Sequence, residues 1–470
     1  MRPESLSLWD EDDAVVPRRS RLYHLPIQRA SADLPQESLL SYLHRVAVSH
    51  TVPVLRLLQM EVVSLTDMRS ARFSSGFAKR YSKTVNGYGK YAEQMSASLE
   101  QLTMAGSLRS GTWLHWRGLF DPKGTGLLAT APRWCPNCID TQQVDGDLII
   151  VPLLWSVASV TRCLHHGVPL LSTCPACGAE QHFISDASPR GRCSSCGGRL
   201  GFREGLWANG KATPHELFMG EAVSEMLSLG RDGEALGSLE IFSSQINAFA
   251  AAKTGRGIRH LEREIGFRKH SICRWTEEGK RPQFDQFLEL CFRIGTKPVA
   301  LLDGSWAQAG SAVALRKDDV PVRRRSHILT ESAIAALKAD VERIVTAEDS
   351  FEDAVAVADR HGISVSAFKY RYGDLYATLA QHRVAVRARL KQRRLVRHEA
   401  AAIDLVRLLH QNGVRLTRAR IEAAMLEAGM TLKDPVTRRI AFKERERLES
   451  QAAVKPGRSA KRLSSDMREA

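Results

Sequence analysis

Seven of the nine cysteines fall between positions 135 and 196, and six of them form three CxxC pairs: Cys135/Cys138, Cys174/Cys177 and Cys193/Cys196. The seventh, Cys163, opens a C-x2-H pair with His166. A CxxC turn aims two thiolates at one point, and a second pair must arrive from elsewhere to close a tetrahedron. Four such half-sites supply eight ligands, enough for two zinc ions. The turns RWCPNC, TCPACG and RCSSCGG carry the Pro, Gly and Ser residues that tight turns need. Cys174, Cys177, Cys193 and Cys196, with 15 residues between the two pairs, have zinc-ribbon spacing. Cys135, Cys138, Cys163 and His166 make the other group, in which His165 is an alternative to His166 because both lie in CLHHG. Disulfides and a redox dithiol are the competing readings. Three CxxC pairs in a chain read as cytoplasmic speak against both. Four protein ligands leave neither ion an open position, so both zincs are expected to be structural. Cys273 and Cys291 stand apart, on expected helices.

The chain has 470 residues, 43% of them apolar and 25% charged, which fits a soluble multidomain protein and excludes wholesale disorder. No apolar run reaches the ~18 residues of a membrane span. The stretch LIIVPLLWSVASV (148–160) is too short, and the acidic start MRPESLSLWDEDD has no apolar h-region. A cytoplasmic, nucleoid-associated location is therefore expected. The 67 basic against 52 acidic residues are unevenly placed: 22 against 18 in 1–210, 23 against 24 in 211–380, and 22 against 10 in 381–470. The excess lies in the last 90 residues, which points to a polyanion such as nucleic acid, or else to a solvated tail.

The order of motifs carries a resemblance. LPQESLLSYLHRVA (34–47) is followed by RWCPNC, then by Trp155 ahead of CLHHG, then by CPACG and CSSCGG. This series over about 34–205 resembles the TniQ/TnsD family of transposon target-selection proteins. The family's Cys-x2-His element usually has Pro after its Cys, where this chain has Leu164. The long C-terminal half is more similar to the TnsD branch, which reads a fixed attachment site, than to the shorter branch that docks on a CRISPR RNA-guided complex. The resemblance implies a AAA+ ATPase regulator (TnsC-like) as partner, with the transposase recruited through it. It implies no enzymatic activity, and no GxxxxGK[ST] is present to suggest an ATPase.

The C-terminal half reads as helix-turn-helix units. In 257–304, Leu261 and Ile265 share a helical face, Gly266 makes a turn, and Ile272 and Trp275 point inward on the next helix. GKRP then breaks the chain before an apolar helix with Phe284, Phe287, Leu288 and Cys291, closed by LLDG. The segment resembles the helix-turn-helix of Cro/repressor proteins. Its recognition helix is expected to begin near Arg268 and to show Arg268, Lys269, His270 and Arg274, with Lys280 beyond it, to the major groove. A helix-turn-helix used only to dock protein is the alternative. In 351–379, Ala358, Gly362, Ile363, Ser364 and Phe368 fit a second unit, with Lys369, Tyr370 and Arg371 projecting and phosphate contact the expected role of Lys369 and Arg371. In 399–429, Ile403, Val406 and Leu409 lead to Asn412-Gly413, and Thr417 caps a helix carrying Arg418 and Arg420, with Ile421 and Met425 inward. This third unit reads as winged-helix-like or as a plain two-helix hairpin. RARLKQRRLVR (387–397), with Arg393 and Arg394, reads as a helix along the phosphate backbone or a solvated face.

The expected architecture is mainly α: a flexible 1–20, a helical domain at 21–130, a double zinc-finger domain with short strands at 131–205, and tandem helix-turn-helix modules. The modules are placed at 206–315, 325–396 and 397–450, with VPVRRRS (320–326) as a linker and 451–470 as a basic disordered tail. The function expected is a target selector that binds an attachment site on double-stranded DNA, as a monomer. The alternative is an adaptor docked on an RNA-guided complex. A nuclease and an ordinary transcription factor explain less of the chain.

Overall fold

Glu37-Ser38-Leu39 begins the first helix of the N-terminal domain for a physical reason. The Ser38 hydroxyl caps helix α1 (Leu39–Ser49) by accepting from Ser41 N at 3.2 Å. Glu37, fully buried, receives both Arg45 Nε (2.8 Å) and Nη2 (2.7 Å), and also the Gln28 N–H. An unpaired carboxylate at that depth would be prohibitive, so the bidentate partner eight residues on is required. Leu39, Leu40, Leu43 and Val46 on the same helix fill a core with α2 (Val54–Leu57) and α3 (Lys90–Thr103).

The computed structural model describes residues 19–28, 36–66, 77, 81–124, 126–144, 149–185, 191–201, 212–229, 237–308, 329–347, 352 and 354–453. Most of the expected flexible start, the VPVRRRS linker and nearly all of the basic tail lie outside them. The chain is mainly helical, as expected. Short strands were expected in the zinc domain. Among the described residues it has instead only isolated antiparallel bridges, of which Arg162–Pro169, Thr173–Glu180 and Arg192–Arg199 each close one cysteine turn. Helix α4 (Pro136–Val144) starts inside the first CxxC.

A second core runs without interruption from Trp113 through the cysteine turns to Trp306. Its helices are α5 (Pro214–Leu229), α6 (Leu239–Thr254), α7 (Ile258–Glu264), α8 (Ser271–Thr276), α9 (Phe284–Arg293) and α10 (Pro298–Asp303). Trp113 and Phe120 meet Phe284 with ring centroids 5.0 and 4.9 Å apart, Phe120 also meets Phe287 at 5.4 Å, and Trp116 Nε1 donates to Met226 O at 3.2 Å. The boundaries placed at 130/131 and 205/206 therefore divide a single packed core. Turn composition marks where the chain changes direction, but not which faces later share a core.

The remaining helices are α11 (Glu331–Thr346), α12 (Ala354–Arg360), α13 (Val365–Arg371), α14 (Gly373–Gln411), α15 (Arg418–Glu427) and α16 (Pro435–Ala453). They form two small cores, one around Leu337, Val357, Ile363 and Phe368, the other around Val406, Ile421, Met425 and Leu432. Ser364 and Thr417 cap α13 and α15, accepting from Ala367 N and Arg420 N. Helix α14, 39 residues long, runs through both cores. The boundary placed at 396/397 falls inside it, and so does the basic run 387–397. Val406, Ile421 and Met425 are buried in the third unit, in which no winged-helix strand forms among the described residues.

Candidate metal centres and nucleic-acid interface

Each cysteine group converges on a point. In the first, Cys138 Sγ lies 3.7 Å from Cys163 Sγ, and His166 Nδ1 lies 3.2, 3.6 and 3.8 Å from Cys138, Cys135 and Cys163. In the second, Cys174 pairs with Cys196 at 3.8 Å and Cys177 with Cys193 at 3.7 Å. Four sulfurs held ~2.3 Å from one tetrahedral ion are separated by ~3.8 Å. The four ligand atoms of each group all lie within 4.8 Å of one another, so two metal ions fit. His166 is the imidazole of the first group, not His165, whose ring stands edge-on to it at 4.5 Å. Hydrogen bonds to neighbouring sulfurs, and then burial, hold the Cys138 and Cys174 thiols far above the ordinary range, whereas Cys163 and Cys193, which receive such bonds, are held far below it. Such crowding of thiols suits a cation at the centre.

The two centres are joined by the residues beside the first pair. Trp134 Nε1 donates to Leu200 O at 2.9 Å, beyond the second centre. Arg133, half-buried, donates to the carbonyls of Trp155, Val157 and Ala158, and burial of its guanidinium pulls the group down to about 10. Each centre also holds a different neighbour. The first rests on α5: Arg162 pairs with Glu216 at 3.1 Å, and Leu164 lies against Gly220, where a Cβ would come 2.5 Å from its Cδ2. Leu164, where the family motif has Pro, thus fits a helix face with no side chain. The second centre meets the C-terminal helices. Glu180 pairs with Arg387 at 3.1 Å and Arg383 at 3.6 Å, and Gly197 sits so close to Met430 O that a Cβ would come within 2.7 Å.

The turn between α7 and α8 is fastened at both ends. Gly266 takes φ +60°, and Arg293 from α9 donates to the carbonyls of Ile265 and Gly266 at 2.9 Å each. Glu262, 3% exposed, accepts from His270 N at 2.9 Å and Ile272 N at 2.6 Å. His270 occupies the left-handed region at φ +60°, so the helix expected near Arg268 starts at Ser271, three residues later, and spans only Ser271–Thr276. Arg268, Lys269 and His270 belong to the turn ahead of it, because the buried carboxylate ends the turn there. Ile272 and Trp275 are buried as expected.

Beside this turn opens a cleft of about 600 Å³ lined by Arg268, Lys269, Arg274 and Lys280, four of the expected DNA contacts. Lys123 and Arg281, which the sequence did not single out, line it as well. Glu278 lies between Arg274 (3.7 Å) and Lys280 (2.8 Å), and the Lys280 ammonium holds its carboxyl below the usual range. His270 is not among the lining residues, and the other expected contacts are elsewhere. Lys369 and Arg371 project from α13 beside Tyr370, which is 81% exposed. Arg393 is exposed midway along α14 with Arg394 half-buried beside it, and Arg418 and Arg420 are exposed at the start of α15.

A helical protein in which two four-ligand cysteine groups share a core with the short helices α7 and α8 is the class these features define. Within it, residues 31–170 match the family model TniQ, so the N-terminal part of the chain carries a TniQ domain, the mark of a transposition-associated protein. TniQ proteins are transposition adaptors rather than enzymes. No curated protein matches the sequence. Among the described residues no single helix is long and apolar enough to cross a membrane.

Proposed function

We propose that the protein is a target selector of a transposon, binding a specific site on double-stranded DNA and presenting it to a AAA+ ATPase regulator that brings in the transposase. The observation that carries this reading is the basic cleft at the helix-turn-helix, built on the same core as the TniQ domain. Arg268, Lys269 and Arg274 stand where such a motif meets base edges and phosphates in the major groove. The exposed cations of α13, α14 and α15 extend the basic surface, and several linked contacts raise affinity through effective concentration. Resemblance to the TnsD branch supports the choice of a fixed attachment site, read by a monomer.

The metal is inferred to be zinc at both centres, because thiolate-rich tetrahedral sets suit that ion. Bound there it supplies folding free energy and no chemistry, since every position is taken by a protein ligand. Cys135, Cys138, Cys163 and His166 hold one ion and Cys174, Cys177, Cys193 and Cys196 the other.

The test is selection of bound fragments from random and genomic duplex DNA by the purified protein at ~150 mM salt, where nonspecific contacts are weakened. One enriched, asymmetric site supports the target-selector reading. Weak binding without enrichment overturns it in favour of an adaptor docked on an RNA-guided complex. Arg274→Ala is expected to cost ~1–3 kcal/mol on the selected site and little on random duplex.

A further inference from the structure

We propose that residues 121–124 and 126 of the N-terminal domain form the second wall of the DNA-binding cleft, and that Lys123 and Arg281 hold the sugar-phosphate backbone of the duplex that the helix-turn-helix enters. The inference rests on the DNA-binding reading above and adds to it a contribution from the N-terminal domain. Six cations line the cleft, Lys123, Arg268, Lys269, Arg274, Lys280 and Arg281, against one carboxylate, Asp121. That carboxylate is turned to its own chain, where Oδ1 accepts the Lys123 N–H at 2.9 Å.

The loop is locked to the helix-turn-helix. Asp121 N donates to Pro282 O at 2.9 Å, and the Tyr88 hydroxyl donates to Asp121 O at 2.8 Å. Phe120, directly before the loop, is buried between Phe284 and Phe287. At the loop's far end Gly126 has φ +82°, and a Cβ there would lie 2.2 Å from Asp285 Oδ1 on α9. Lys123 is therefore exposed on a fixed support across the cleft from Arg268 and Lys269. Arg281 lies on the rim, with Nη1 3.4 Å from Arg117 O of the N-terminal domain.

The chemistry of the lining selects an extended polyanion over a nucleotide. A nucleotide site needs a face on which the base can stack. The aromatic residue of the cleft, Trp275, is 5% exposed and packed against Phe242 and Phe267. Cations on two walls of an open trough, with Gln283 and Gln286 between them, suit successive phosphates of one strand. A duplex held there would lie against the TniQ domain at an angle set by the shared core.

The experiment measures binding of the full-length protein to the selected duplex and to a random duplex between ~50 and ~300 mM salt. Lys123→Ala and Arg281→Ala are compared with Lys90→Ala, an exposed lysine of the same domain outside the cleft. Each of the two cleft variants is expected to reduce the slope of log K against log salt by ~1 and to weaken both duplexes by the same factor. Lys90→Ala is expected to leave slope and affinity unchanged. Thermal melting shows that each variant is folded, as expected for exposed side chains. An unchanged slope in Lys123→Ala, with wild-type binding intact, overturns the two-walled cleft and leaves the target-selector reading standing. A wild-type protein that binds neither duplex overturns both.

Discussion

Glu262 accepts the backbone N–H of Ile272 at 2.6 Å from a position where its own side chain is shut off from solvent. It also takes the His270 N–H, so one carboxylate satisfies two donors at the start of the recognition helix and holds His270 in a left-handed conformation. Replacing it leaves the buried Ile272 amide unpaired and takes the partner of the half-buried His270 amide. Glu262→Ala is therefore expected to lower stability by ~1–3 kcal/mol per orphaned group and to weaken DNA binding beyond that of the equally folded fraction. Glu264→Ala, on the same helix but half-buried and paired only with the side chain of His260 at 2.9 Å, is expected to cost under ~1 kcal/mol. Chemical denaturation of both variants, with binding measured well below the transition, checks the pair.

Glu262 also shows what the sequence could and could not tell. The cysteine spacing alone grouped the two sets of four candidate ligands, with His165 left as an alternative to His166, because a tetrahedron built from turns is a local constraint and local constraints are written in short motifs. The apolar periodicity of Leu261, Ile265, Ile272 and Trp275 marked the buried faces of α7 and α8 for the same reason. Glu262 looked like one more surface charge in LEREIG. Its role depends on two amides eight and ten residues away, folded over it by a turn. Lys123 was missed because it is 145 residues from Arg268, its neighbour across the cleft. A signal existed in the turn-forming sequence DPKG, which presents a lysine, yet nothing local says what lies opposite. The helix from Gly373 to Gln411 passes through 396 without a break, and the sequence hid this because the polar basic run carries no core signature.

Removing the second metal centre is expected to do more than loosen a turn. Cys193→Ser takes away one ligand, and metal bound at such a centre contributes folding free energy, so the variant is expected to retain one ion where two are proposed for the native protein. The two turns of this centre carry Glu180 and Gly197, which meet Arg383, Arg387 and Met430 of the C-terminal helices. Amide exchange in 383–387 and 429–431 is expected to rise with the loss. Gly197→Ala separates the two effects. It keeps all four cysteines, but its φ of +76° costs ~1–2 kcal/mol for an L side chain, and the Cβ would meet Met430 O. The expected outcome is two bound ions with raised exchange at 429–431. Metal analysis and exchange mass spectrometry on both variants read the difference.

Acid should open the C-terminal unit before the cysteine centres are considered. Arg447 and Arg407 bond the Glu444 carboxylate at 2.6 and 2.7 Å and hold its pKa at about 2. A carboxyl depressed in the folded state stabilises it fully above its unfolded value of ~4.3, and that stabilisation is lost as pH falls through the folded value. The tie between α14 and α16 is thus expected to hold at pH 5 and above, and to weaken between about 4 and 2. Glu444→Gln should show at pH 7 the faster exchange that the native protein reaches only in acid. Exchange along 441–448 as a function of pH, in the native protein and the variant, tests the sign.

Glu278 restrains the cleft it borders. Its carboxylate lies between Arg274 and Lys280, both directed at the proposed duplex, and it must be displaced or repelled when phosphates approach. Ion pairs this exposed contribute little to stability, so Glu278→Gln should leave the melting temperature within a degree or two. Its effect should appear in binding instead. Removing one negative charge from a site that neutralises phosphates raises affinity for selected and random duplex alike, and the gain shrinks as salt rises. A several-fold tightening at ~100 mM salt that disappears by ~300 mM is the expected result. Tightening confined to the selected sequence would mean instead that Glu278 orients Arg274 toward a base. Weaker binding would mean that the ion pair holds Arg274 in its working position, and salt titration of the two duplexes distinguishes the three outcomes.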